Sequence, residues 1–372
     1  MIMENKDLSL LPASYLTDGA ALSDPAGPYA DESRLFQGIP GIECTKGGTY
    51  YAVFYTGMKT EEAGNFLLLY KTRDPHDFGK AIMAVLPPAP ESIRCYDPCL
   101  WIDPSGRLNL FWAQSYGLYD GRMGVWRAVC GDPDSDMPVF SPPVRIANGI
   151  MMNKPIVTRG GAWLLPCSIW KSSDSELNRL PDERYSNVYR SLDGGSTFDL
   201  IGHSDYPNRL IDEHMIYERG DGSLVMLIRA SDGIGMAESY DGGVTWQGER
   251  DSRLGGPCSR FCVRRLKSGR LLLVNHYKFT GRNNLTAMLS EDDGKSWIGG
   301  LLIDGRQNVS YPDVCESPDG MINIIYDRER YKDKEILLAR VTEDDILEGR
   351  LAGVRSELSI IVSKACGKPD EM

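Results

Sequence analysis

Residues 239–248 read SYDGGVTWQG, and two near-copies accompany them, SLDGGSTF at 191–198 and SEDDGKSW at 290–297. All three follow the pattern Ser-x-Asp-x-Gly-x-(Thr/Ser)-(Trp/Phe), and their aspartates, Asp193, Asp241 and Asp292, stand 48 and 51 residues apart. A short carboxylate accepts nearby backbone N–H groups and glycine takes positive φ, so each copy reads as a tight turn. The closing aromatic ring has the size to pack between neighbouring sheets. A turn recurring at this interval marks a repeat architecture.

A second periodic signal runs through the whole chain. Six turns end in glycine, at Gly48, Gly106, Gly161, Gly222, Gly269 and Gly320, with spacings of 58, 55, 61, 47 and 51 residues. Each is followed by a β-prone apolar run, such as SLVMLIRAS after Gly222 and MINIIYDRE after Gly320, and preceded by another, such as MIYER and FCVRRL. Short runs bounded by glycine turns are hairpin strands. A third strand precedes each Ser-x-Asp motif, as in NVYRS and LTAMLS, and no long helical periodicity is present. Six units of four strands predict an all-β chain folded as a six-bladed β-propeller, since a closed ring leaves few exposed edges. The expected boundaries are a 1–33 N-terminal extension wrapping the outside, the propeller over 34–350, and 351–372 as a tail or ring-closing segment.

Composition narrows the partners. The 372 residues are 42% hydrophobic and 25% charged, with a formal net charge of −11. Without a dense lysine or arginine cluster, neither nucleic acid nor an anionic membrane is expected as a partner. A local arginine group remains free to bind a small anion. Nine cysteines are scattered, apart from Cys95/Cys99 and Cys258/Cys262, and neither pair has a second pair or a histidine placed to complete a metal site. No metal and no cofactor is expected. The segment MIMENKDLSLLPASYL lacks the apolar core of a signal peptide, so a cytoplasmic location is the expectation.

Aligning the units on their glycines places a candidate site. Nine residues before the glycines stand Ile39, Asp97, Met152, Glu213, Arg260 and Tyr311; seven after them stand Tyr55, Ala113, Ser168, Arg229, His276 and Asp327. In antiparallel hairpins the two sets share one end, and the starts of the innermost strands crowd the propeller axis. The many polar and ionisable groups among them are predicted to converge on one mouth of the channel, as in a ligand pocket.

The Ser-x-Asp turns resemble the Asp-boxes of the sialidase-like propellers, and the resemblance covers roughly residues 34–350. It implies that the boxes lie between third and fourth strands, on the rim away from the active site, so that Asp193, Asp241 and Asp292 are structural. EHMIYERGDGSLVMLIR (213–229) resembles the sialidase segment in which a glutamate opens one strand and an arginine closes the next, mapping Glu213 and Arg229. GRNNLTAMLSEDDGKSW resembles the segment with a further substrate arginine, Arg282. SYPDVCESPDGMINIIYD resembles the segment with the tyrosine nucleophile, Tyr311. The family's N-terminal Arg-Ile-Pro is replaced by Gly38-Ile39-Pro40, which removes one of three arginines; Arg34, Gln37 and Lys154 are the candidates to compensate.

The resemblance implies an exo-acting glycoside hydrolase that removes a terminal acidic sugar, sialic acid or a relative, from a carboxylated glycan or small molecule. A neutral phenol is not repelled by a carboxylate on the anomeric carbon, and tyrosine nucleophiles are known among glycosidases. The phenol needs a base, assigned to Glu213. The proton donor stays open among Asp97, Glu61, Glu62 and His214. Lys154 and His276 are further candidates for substrate contact. Histidine, tyrosine and arginine together also suit eliminative cleavage of a uronic acid glycoside, and loss of the arginine at position 38 also suits a propeller that binds glycans without turnover.

Overall fold

The computed structural model describes residues 12–17, 22, 24, 27–116, 123–171 and 181–368. Six antiparallel sheets follow one another in chain order. Their innermost strands are Phe36–Cys44, Ile93–Ile102, Ile156–Val157, Met215–Glu218, Cys262–Arg265 and Val309–Glu316. This is a six-bladed β-propeller.

The six glycines act alike. Each turns between first and second strands with φ between +82° and +94°, and nothing lies within 4 Å of an added Cβ at any of them. Their requirement for glycine is therefore conformational, since an L side chain at such φ is strained even in open space. The Ser-x-Asp turns join third to fourth strands in blades 3, 4 and 5. In the central copy Asp241 Oδ1 accepts from the backbone N–H groups of Val244 and Thr245, at 3.1 and 2.9 Å, and from Ser239 Oγ at 2.9 Å. The Thr245 hydroxyl and these N–H donors hold Asp241 down at about 2, and the Ser296 hydroxyl and its N–H hold Asp292 there too. Asp193 is lowered in the same way, by Thr197 first. All three carboxylates are committed to their own turns.

Strand alternation serves two interfaces at once, because every blade is covered on both faces. Along Leu224–Ala230, Val225 and Leu227 face a cluster with Leu271, Leu273 and Val274 of blade 5. Leu224, Met226 and Ile228 face the opposite cluster, with Leu164 and Val188 of blade 3. Each such side chain contributes roughly 1.5–3 kcal/mol by leaving water, so the run is apolar at nearly every position.

Both ends of the chain add strands to the outer edges of blades. Glu357–Lys364 pairs with Glu335–Val341 as the outer strand of blade 6, so the propeller runs past residue 350. Where blades 3–5 have a Ser-x-Asp turn, blade 6 has the helix Glu343–Glu348, capped reciprocally by Thr342 and Asp345. Tyr15–Thr17 adds a fifth strand to the outer edge of blade 1.

Gly222→Ala isolates the backbone requirement, because φ is +88° and the site is open. It should cost about 1–2 kcal/mol, seen as a lower urea midpoint at unchanged slope. An unchanged midpoint would show that the left-handed turn is dispensable.

Candidate active site

A repeated backbone irregularity aims the site. The innermost strands of blades 1, 2 and 6 each lose register with their neighbour at an x-Pro pair: Ile39-Pro40, Asp97-Pro98 and Tyr311-Pro312. At each bulge the residue before proline has positive φ, +56° for Ile39, +48° for Asp97 and +55° for Tyr311. Proline has no N–H to lose from the ladder, so the bulge sits there at little cost in hydrogen bonds. The left-handed residues themselves store about 1–3 kcal/mol each. Asp97 and Tyr311 are among the groups the sequence placed at the mouth.

Tyr311 is the centre of a tight cluster. Its hydroxyl donates to Glu213 Oε1 at 2.8 Å and accepts from Arg229 Nη1 at 3.0 Å. Arg229 Nη1 also pairs with Glu213 Oε1 at 2.6 Å. Burial pushes the phenol up to about 12, against the Arg229 charge, which favours the phenolate. Glu213 Oε2 and Arg229 Nε are buried without a protein partner. Two more guanidinium groups border the tyrosine ring, Arg282 with Cζ 5.5 Å from its centroid and Arg330 at 4.2 Å.

Arg330 is the residue that sequence reasoning missed. It follows the second strand of blade 6 and crosses Gly38, where an added Cβ would lie 2.8 Å from both Cδ and Nε of its side chain. Asp327 holds Nε at 2.8 Å, Ser310 Oγ accepts from Nη2 at 3.2 Å, and Glu61 pairs with Nη1 at 3.2 Å. The loss of arginine at position 38 and the presence of Arg330 are thus one steric fact. The sequence signal was a glycine where the resembling family has arginine, with Asp327 and Arg330 three residues apart in DRER.

Asp97 faces the same space. Burial raises it to about 8; Arg94 and Arg330 oppose the rise, while Glu61 and Glu213 add to it. Arg94 lies over the Tyr96 ring, its Cζ 3.7 Å from the centroid. The buried Tyr55 hydroxyl, which has no protein partner, feels the charges of Glu61, Asp97, Arg94 and Arg330. Of the local carboxylates, Glu61 thus belongs to this group. Glu62 instead accepts the Thr60 N–H within its own loop, at 3.4 Å.

Of the remaining sequence candidates, His276 stays near the cluster and the others have partners elsewhere. His214 is buried with Nε2 donating to Asn187 O at 2.8 Å, and burial lowers it to about 4, so it is neutral and turned away between blades. It alternates with Glu213 along an extended chain, which sends the two side chains to opposite faces. His276 Nδ1 donates to Asn283 O at 2.8 Å, its Nε2 is buried without a protein partner, and the charges of Arg282 and Asp327 act on it. Arg34 is wholly buried, bonded to Asp31, Gln37 and Thr56, while Gln37 Nε2 donates to Lys334 O at 2.6 Å and Ser363 O at 3.1 Å. Both fasten the chain ends to blade 1.

Lys154 lies on the axis below the mouth. Its ammonium donates to Ile42 O and Leu100 O at 2.7 and 2.6 Å and pairs with Glu43 and Asp313, both at 3.0 Å. Arg260 continues this plug, with Nε donating to Asn153 Oδ1 at 2.7 Å and Nη2 3.8 Å from Asp313. Asn153 in turn donates to the backbone carbonyls of Glu213 and His214, at 3.1 and 2.9 Å.

The BNR repeat-like domain profile matches residues 57–324, well over half of the chain. The chain belongs to the BNR repeat-like domain family. Among solved structures, the leech intramolecular trans-sialidase complexed with 2,7-anhydro-Neu5Ac superposes with TM-score 0.64 at 13% identity, over 93% of this chain and 73% of its own. The Ruminococcus gnavus intramolecular trans-sialidase, in complex with oseltamivir carboxylate, gives 0.63 at 15%, over 90% and 98%. A Hadza microbial sialidase gives 0.61 at 17%, over 78% of this chain, which spans 63% of that protein's length. At these identities the likeness is one of fold. No curated protein matches the chain by sequence.

For this BNR-repeat propeller, Lys154→Met should test the axial plug. Removing the ammonium from two buried carboxylates should destabilise the fold by about 3 kcal/mol, measured by urea unfolding. A stability loss under 1 kcal/mol accompanied by a large loss of substrate affinity would return Lys154 to the list of substrate ligands.

Proposed function

We propose that this propeller is a glycoside hydrolase of sialidase type, acting on a terminal sugar that carries a carboxylate. The observation that carries the reading is the buried Tyr311–Glu213–Arg229 triangle bordered by two further arginines. A phenol at about 12 is a weak nucleophile, and a carboxylate 2.8 Å away is placed to take its proton as the bond to the anomeric carbon forms. Arg229 stabilises the developing phenolate and, with Arg282 and Arg330, supplies forked donors for the substrate carboxylate. Arg330 takes the part of the arginine absent at Gly38.

Departure of the aglycone needs a proton on its oxygen. Asp97, raised to about 8, is protonated at neutral pH and serves as general acid, then as base for the water that releases the sugar from Tyr311. A carboxyl kept neutral by burial among other carboxylates suits that task. Arg330 is paired with Glu61, and a bound carboxylate competes with that pairing, so ligand binding exchanges one acidic partner for another.

Tyr311→Phe should abolish turnover while changing ligand affinity less than about threefold, because one hydroxyl is removed and the arginines stay. The assay is aryl-alcohol release from aryl glycosides of sialic acid, Kdn, uronic acids and neutral sugars. Near-unaltered turnover in the variant would remove the tyrosine from the mechanism. An unsaturated, ultraviolet-absorbing product would instead mark a lyase.

The pH profile follows from the sign of the Asp97 shift. The donor is present below its raised value and lost above it, so kcat/KM should fall on the alkaline side of about pH 8. The same shift gives the folded state the greater proton affinity, so Asp97 favours folding increasingly as pH falls from about 8 toward its unfolded value. Asp97→Asn should abolish the alkaline fall together with most activity toward substrates with poor leaving groups. For an activated aryl leaving group kcat/KM should suffer much less, while kcat falls because the second step loses its base; equal losses of kcat/KM on both substrates would exclude Asp97 as the acid.

A further inference from the structure

The propeller axis has a second end, where the glycine turns between first and second strands gather. There a cavity of about 370 Å³ opens between the innermost strands of blades 3, 4 and 5. Its apolar wall includes Trp101, Ile156, Val157 and Met215. A second cavity of about 520 Å³ adjoins it, and Trp101, Val157, Arg264 and Arg265 line both. The Lys154–Asp313–Arg260 plug stands on the axis between this chamber and Tyr311. The volume is that of a small-molecule pocket.

Its polar groups are unequally committed. Asp313 and Glu43 are held by Lys154, and Glu218 Oε2 accepts the Arg159 N–H at 2.9 Å. Arg159 and Arg265 spend their donors on the carbonyls of Gly220, Arg219, Gly269 and Glu218, and on Asp293. Arg264 differs. Its Nη1 donates to Val314 O at 2.8 Å and to Glu43 at 3.3 Å, while its side chain is 29% exposed at the junction of the two cavities. That leaves Nε and Nη2 as a donor pair of the spacing a carboxylate or phosphate accepts. Trp101, braced edge-to-face by Trp163 at 4.7 Å, gives the junction a rigid aromatic wall.

We propose that this chamber is a second ligand site, for a small molecule with a flat apolar body and one acidic group. The body lies along Trp101 and Val157, and the acid is gripped by Arg264. The site is separate from the glycosidase reading, and neither depends on the other.

The test is ligand-observed NMR titration of the whole protein with benzoate, phenyl phosphate and neutral benzamide. Benzoate and phenyl phosphate should each bind saturably, and the stronger of the two identifies carboxylate or phosphate as the preferred acid. Benzamide should bind at least tenfold more weakly. Arg264→Met should weaken the acids at least tenfold. Val157→Trp, which fills the junction from a residue already 37% exposed, should abolish binding while circular dichroism and aryl-glycoside turnover stay unchanged. Arg282→Ala, which removes a guanidinium bordering Tyr311, should leave this binding intact. Acids that fail to saturate would overturn the proposal, as would binding that survives Arg264→Met and Val157→Trp but disappears in Arg282→Ala.

Discussion

Every blade buries both faces only if the first and sixth meet, and here they meet without sharing a strand. Blade 6 is complete in chain order, so closure rests on packing, on the bonds of Gln37 to Lys334 O, Ser363 O and Arg330 O, and on buried carboxylates that reach the inner edge of blade 1. Asp327 accepts the Ile39 N–H at 2.8 Å and Asp313 accepts the Ile42 N–H at 2.9 Å. An open seam would leave those N–H groups and the apolar faces of two blades in water. Two negative charges at the seam require positive partners, and the seam recruits Arg330 for Asp327 and Lys154 for Asp313. Breaking one such buried pair costs far more than the pair contributes over an apolar substitute, so the cations are structurally obligatory.

That requirement shapes the candidate site. Arg330 is held by Asp327 for closure, and from there its guanidinium overlies Tyr311. The space it crosses is available only because residue 38 is glycine. Blade 1 therefore cannot deliver a bulky cation at that point, and the same charge arrives from blade 6. Burial keeps the Asp97 carboxyl protonated near neutrality, and the neighbouring charges of Glu61 and Glu213 add to the rise.

The two ends of the axis divide the labour of the fold. One end holds strained left-handed residues and ionisable groups; the other holds unstrained glycine turns and an apolar chamber. Between them, Lys154, Arg260 and Asn153 spend their hydrogen bonds on backbone carbonyls and on one another. The plug braces Glu213 through its own carbonyl, so the carboxylate beside Tyr311 is positioned from below as well as by Arg229.

The sequence by itself determined the number of blades, the hairpin register and the structural role of the Ser-x-Asp turns. These depend on local chemistry: positive φ favours glycine, and a carboxylate caps the N–H groups nearest to it in the chain. It also placed Asp97, Glu213, Arg229 and Tyr311 at one mouth, since position along a hairpin dictates which end of a blade a residue reaches. Only the tertiary structure decided which cations serve the site. Lys154, Arg34 and Gln37 looked available in sequence, but buried carboxylates and carbonyls from other blades claim them. His214 was one residue from Glu213 yet belongs to the opposite face. Arg330 and Gly38 lie nearly the whole chain apart, and their mutual exclusion exists only once the ring has closed. Charge pairing and steric exchange across a seam act through space, and no local pattern along the chain records them.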